Sequence, residues 1–186
     1  MPVVHSFDPP ERFVTGTVGP PGQRTFFLQA RTGNRMISVA LEKQQVAALA
    51  ERLETLLGDV EGRGELGSEA LNIADNNPLE QPIDEEFRVG TMTLSWDAST
   101  ARVVLEVFPV SEQVPPIMPG ELPPEIEPHE MLLLRITLAQ TRAFVTRAQR
   151  VVSAGRPPCP FCGEPIDPDG HLCVRANGFK RRDPLR

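Results

Sequence analysis

The sequence predicts an α+β protein: two β-β-β-α units packed as one pseudo-two-fold body, with a small appendage at the C-terminal end. Three observations carry that reading. β-Branched and alternating apolar segments closed by an amphipathic helical stripe occur over residues 12–58 and again over residues 87–155. An acidic stretch with Gly, Asn and Pro separates the two, over residues 59–86. All three cysteines follow the second unit, in a segment too rich in Pro and Gly to bury a core of its own.

Val3-Val4-His5-Ser6-Phe7 reads as a short opening strand that Asp8-Pro9-Pro10 ends. Phe13 to Val18 is β-branched and reads as a strand, and Gly19-Pro20-Pro21-Gly22 as a turn. Arg24 to Ala30 is the next strand, Thr32-Gly33-Asn34 a hairpin turn, and Met36 to Leu41 a third strand with Ile37, Val39 and Leu41 facing inward. The chain then enters a helix at once. Val46, Leu49, Leu53, Leu56 and Leu57 form its apolar stripe with Ala50 beside them, and Gly58 is the expected C-cap.

The connector after it carries Glu61, Glu65, Glu69, Asp75, Glu80, Asp84, Glu85 and Glu86, with a short helix expected near Ser68 to Ile73. The first pattern then returns. Phe87 to Leu94 echoes the strand at Phe13, with Gly90-Thr91 matching Gly16-Thr17, and Arg102 to Phe108 echoes the second strand. Met131 to Leu138 echoes the third, with Leu132, Leu134, Ile136 and Leu138 inward. The closing helix shows an apolar face of Phe144, Ala148, Val151 and Val152, and an outer face of Arg142, Arg147 and Arg150. A Pro-rich insertion, residues 109–128, interrupts the second unit with seven prolines, and reads as a spacer rather than a packed element.

The chain of 186 residues suffices for one real core and a small appendage. It has no apolar run long enough to cross a bilayer and no charged-then-apolar leader, so a cytoplasmic location is expected. The net charge of −6 is uneven: residues 142–186 carry nine Lys/Arg against four acids, and the first 141 residues carry ten against twenty-one. A basic end of this kind meets an anionic partner, docks on the acidic surface of its own chain, or is solvated.

The strongest chemical signal is Cys159-Pro160-Phe161-Cys162-Gly163 followed by His171-Leu172-Cys173. Two thiolates three residues apart let a tight turn wrap one side of a metal ion, stiffened by Pro160 and released by Gly163. Asp169-Gly170 reverses the chain so that His171 and Cys173, on one side of an extended segment, can close the site. Three thiolates and one imidazole are a closed tetrahedral set for structural zinc. These residues have three other possible uses. Cys-Pro-Phe-Cys also matches the redox motif of glutaredoxins, but that use needs a following helix, which Gly163, Pro165 and Pro168 oppose. A disulfide would leave one cysteine over, and a Cys–His nucleophile pair has no orienting third group nearby in sequence.

Elsewhere the signals are thin. His5 and His129 stand alone in sequence, Asp84-Glu85-Glu86 reads as a solvated charge run before a strand, and Trp96-Asp97 as a packing anchor with a turn. No Walker-type loop is present. Arg175, Asn177, Lys180, Arg181 and Arg182 after the last cysteine are candidates for phosphate or partner contacts.

Five stretches carry a family resemblance: His5 to Phe13, Gly22 to Ala30, Val39 to Gln45, Cys159 to Gly163, and His171 to Gly178. On these the whole chain resembles an uncharacterised actinobacterial family, the domain of unknown function family 3090. The resemblance implies one member of a trio whose others look like a kinase-like and a histidine-phosphatase-like protein. It brings no known activity. A looser similarity of topology is to the PUR and whirly folds, which bind single-stranded nucleic acid through aromatic and basic residues on an open sheet face. Here that face would offer Met36, Ser38, Ala40, Arg135 and Thr137, with Phe27, Gln29, Trp96 and Arg102.

The expectation is therefore a non-catalytic zinc-binding adaptor with an unidentified protein partner. The alternatives are a single-stranded nucleic-acid-binding protein using the knuckle and basic tail, and an accessory subunit of a kinase/phosphatase-like system.

Overall fold

The computed structural model describes residues 3–63, 74–110, 130–155, 158–166, 170–173 and 175. Strand β1 is Val3–Phe7, β2 Arg12–Val18, β3 Thr25–Thr32 and β4 Arg35–Leu41, followed by helix α1, Lys43–Gly62. Then come β5, Glu85–Asp97, β6, Arg102–Pro109, β7, Glu130–Ile136, and α2, Leu138–Ser153. The strands form one mixed seven-stranded sheet in the order β1-β7-β6-β5-β4-β3-β2.

Each helix starts directly from a strand through the same device. Gln45 turns its side-chain oxygen back to the N–H of Glu42 at 2.8 Å, and Gln140 does the same to Thr137 at 3.0 Å. Thr137 Oγ1 in turn accepts from the Gln140 N–H at 3.1 Å, so orphan donors at the helix start are satisfied without a connecting loop. Both helices cover one sheet face. A single core joins Phe7 of β1, Phe13 and Leu28 of the first unit, Leu49 and Leu53 of α1, Leu105, Leu132 and Leu134 of the second unit, and Phe144 of α2. Phe13 and Phe144 stack with ring centroids 4.5 Å apart, which fastens α2 to the far end of the strand order.

The element succession β-β-β-α occurs twice, but the units are not arranged about a dyad. A two-fold pairing would bring equivalent strands together, β4 beside β7 or β2 beside β5. Instead β4 lies parallel beside β5, so the second unit continues the sheet in tandem with the first. Helix α1 runs through Gly58 and ends at Gly62, because Val60 is still buried. Strand β7 stops at Ile136, and Leu138, expected inside the strand, opens α2.

The two sheet halves are buried differently. In β6 and β7 burial alternates strictly, as in a sheet with one covered face. In β2, β3 and β4 whole runs are buried, because the end of the acidic connector lies across their second face. Leu79 packs there on Val14, Phe27 and Ala40, with Ile83 beside them. Gly16 makes room: a Cβ on it would sit 2.6 Å from Leu79 Cγ.

Polar contacts tie this strap down. The Gln29 side chain donates to the Glu80 carbonyl at 3.0 Å and accepts from the Glu80 N–H at 2.8 Å. Arg12 grips both Asp75 carboxylate oxygens, at 2.6 and 3.1 Å. Arg147, expected on the outer face of α2, is instead buried. It donates to the Thr15 carbonyl and to the Asp75 carbonyl, each at 2.6 Å. The connector is thus a packed element where its residues are described, rather than a solvated linker. The expected helix near Ser68 to Ile73 and nearly all of the 109–128 insertion lie outside the described residues.

Candidate metal centre

Helix α2 ends at Ser153, and Arg24 fixes the exit by donating to the Ala154 carbonyl at 2.5 Å. Shortly beyond, the chain makes a small hairpin-like knuckle. Pro158 and Pro165 bridge in antiparallel fashion, and the Cys159 N–H donates to the Glu164 carbonyl at 2.8 Å. The Gly163 N–H closes the turn onto the Cys159 carbonyl at 2.9 Å. Gly163 and Gly170 hold φ of 78° and 89°, the left-handed region that glycine enters without a Cβ clash.

The turn aims four ligand atoms at one point. Those of Cys159, Cys162, His171 and Cys173 all lie within 4.8 Å of one another. Cys159 Sγ and Cys173 Sγ are 3.7 Å apart, and Cys162 Sγ lies 3.2 Å from His171 Nε2. The thiols are not joined in a disulfide. Two sulfurs bound tetrahedrally to zinc at about 2.3 Å stand about 3.8 Å apart, so the sulfur pair already has the spacing of a shared ion. Three soft thiolates and an imidazole also suit zinc in kind.

The backbone prepares a thiolate. Burial pushes the Cys159 thiol up, but N–H groups of Cys162 and Phe161, with the neighbouring thiols, more than offset it and bring it down to about 7. The Cys162 thiol is drawn down by the Glu164 N–H, yet burial and the two neighbouring sulfurs leave it raised. A cation at the centre would relieve that crowding of sulfur charge. The redox use finds no support in the turn itself. Residues 163–166, which follow the second cysteine, are not helical, so no helix N-terminus among the described residues faces a thiol.

The remaining sequence candidates separate. Arg175 folds back and donates to the Phe161 carbonyl at 3.3 Å. Asn177, Lys180, Arg181, Arg182 and His129 lie outside the described residues. The sheet face proposed for base stacking is closed in the first unit: Phe27, Gln29, Ser38 and Ala40 are buried beneath the strap. In the second unit Arg135 pairs with Asp97 at 3.0 Å. Asp97 also accepts from the Ser99 hydroxyl at 2.6 Å, a contact that with Thr100 and Arg135 holds its carboxyl below the usual range. Trp96 packs against the core beside it, as a strand-end anchor should.

Sequence reasoning missed the surroundings of His5. Its Nε2 lies 2.7 Å from Glu130 Oε1 and 3.8 Å from Glu86 Oε1. The three residues sit on separate strands and are far apart in sequence, so no spacing rule finds them.

Residues 5–173 match the family model described as a protein of unknown function (DUF3090), and the chain belongs to that family. The match reaches from the first strand to the last of the four ligands. No curated protein and no solved structure matches the chain.

Proposed function

We propose that the protein is a non-catalytic zinc-binding adaptor, in which one structural zinc ion holds the C-terminal knuckle in shape for a protein partner. The convergence of Cys159, Cys162, His171 and Cys173 carries this reading. Four protein ligands leave zinc no open position, so this centre organises chain and does no chemistry on a substrate. What the turn presents is apolar: Phe161 is 61% exposed and Leu172 87% exposed, flanking the ligand cluster. Exposed aromatic and aliphatic side chains on a rigid loop are the usual anchors of an interface. No described helix is long and apolar enough to cross a membrane.

The alternative is a single-stranded nucleic-acid-binding protein using the knuckle and basic tail, and the strap over the first unit leaves it little of the open sheet face that the PUR-like topology would supply. Substituting Arg181 and Arg182 by Glu should abolish salt-sensitive binding of single strands if that reading holds, and should change nothing for an adaptor.

The experiment is zinc content per chain in protein purified without a histidine tag or chelator, beside a Cys159→Ser/Cys162→Ser double variant. The adaptor reading expects the variant to lose one equivalent that the parent holds. Equal zinc in both, with Cys159 and Cys162 freely titratable in the parent, would overturn it.

A further inference from the structure

At the opposite end of the chain, His5 of β1, Glu130 of β7 and Glu86 of β5 bring an imidazole nitrogen and two carboxylates together, with their ligand atoms within 4.8 Å of one another. The sheet builds this meeting. Strand β1 runs parallel to β7 in a register that sets Val3 beside Glu130 and His5 beside Leu132. Residues paired in this way point to one face, so Glu130 and His5 lie along the same side as the buried Leu132. Glu86 arrives by a bulge: from Ser38 to Ala40 the partner strand advances from Glu85 to Arg88, one residue extra. Both Glu86 and Phe87 then oppose Val39, and Phe87 is buried in the core. Bulges re-aim side chains in this manner beside functional sites.

The group is partly sheltered, with side-chain exposures of 13% for His5, 26% for Glu130 and 40% for Glu86. An ordinary ion pair accounts for only part of it. Nε2 of an imidazole offers one hydrogen, and Glu130 at 2.7 Å can take it, which leaves Glu86 facing the same nitrogen at 3.8 Å without that donor. Two carboxylates beside one imidazole nitrogen concentrate negative charge, which a divalent ion bound between them would neutralise. We propose that His5, Glu86 and Glu130 form a second divalent metal site, for a zinc-type ion that accepts imidazole and carboxylate together. Ligand atoms bound tetrahedrally to such an ion at about 2.0–2.1 Å stand roughly 3.4 Å apart, so Glu86 at 3.8 Å from His5 is near that spacing, while the 2.7 Å His5–Glu130 contact would have to open for the ion to enter. Imidazole among the ligands favours zinc over magnesium or calcium. This site differs from the knuckle in kind: three protein ligands leave at least one position to water or to a ligand from solution.

The test is native mass spectrometry of the full chain, stripped of metal and titrated with zinc chloride at low excess. The parent should take up two zinc ions. His5→Gln and Glu130→Gln should each take up one, with circular dichroism unchanged. The Cys159→Ser/Cys162→Ser variant should also take up one, and the combination with His5→Gln none. A parent that stops at one ion held by the cysteines, or a second ion that persists in both His5→Gln and Glu130→Gln, would overturn the proposal. The cysteine variant keeps this outcome separate from any failure of the knuckle.

Discussion

The body and the knuckle differ in what holds them. In the body, Leu28, Val39, Leu105, Leu132, Leu134 and Ile136 have no accessible surface, and side chains from seven strands and two helices share one core. In the knuckle, the buried side chains among the described residues are Cys159 and Cys173, while Phe161 and Leu172 face outward. Burial of apolar area stabilises the first region. The second has almost none to bury, so in the proposed reading its order comes from ligand bonds to an ion. Metal therefore matters to one region alone: removing it should unmake the knuckle and leave the body standing, and core damage should do the reverse.

The largest expected effect comes from the core. Phe144→Ala removes a ring that is 1% exposed and stacked on Phe13. It should destabilise the body by about 3–5 kcal/mol in urea unfolding, while the zinc held by the cysteines is unchanged. Loss of that zinc on the same substitution would show that the knuckle depends on the core of the body.

The strap comes next. Asp75→Asn takes a full charge from between Arg12 and the buried Arg147, and should cost roughly 3 kcal/mol, the scale for breaking a sheltered ion pair. The Arg12 hydrogen bond holds the Asp75 carboxyl below its ordinary value. Its contribution is therefore complete above the unfolded value, near 4, and is lost as pH falls through the lower folded value. Parent stability should drop more steeply with acid than that of Asp75→Asn, and parallel acid profiles would contradict the assignment.

A smaller effect sharpens the same point. Gly16→Ala would set a methyl against Leu79 Cγ at 2.6 Å and should cost about 1–3 kcal/mol, read as a shift in the unfolding midpoint. If it stabilised the body, as a strand Gly→Ala change in open space tends to, the strap would not lie on β2.

How legible all this was in the sequence depended on whether the signal is local. The strands and helices follow from alternation and stripe, and the ligand cluster from C-x2-C and H-x-C spacing, because both patterns concern near neighbours. The strap was hidden: Asp75, Leu79 and Glu80 look like connector residues, and the second face of β2–β4 mixes apolar Val14, Phe27 and Ala40 with polar Gln29 and Ser38, so nothing in the sequence announces a cover. Arg147 misled for a related reason. Arginine on a helix is ordinarily solvated, and nothing near it in sequence announces Thr15 or Asp75 as its partners. Gly58 suggested a helix end, yet one glycine costs a helix only about 1 kcal/mol, less than burying Val60 returns. Strand order, like the neighbours of His5, is set by pairing between distant segments, and periodicity is silent on it.

The most direct test of the central claim is X-ray absorption at the zinc edge, on metal-free chain given one equivalent of zinc. The account predicts three sulfur ligands at about 2.3 Å and one nitrogen at about 2.0 Å. The same spectrum with only nitrogen and oxygen around the metal, and all three thiols still free to react, would contradict it.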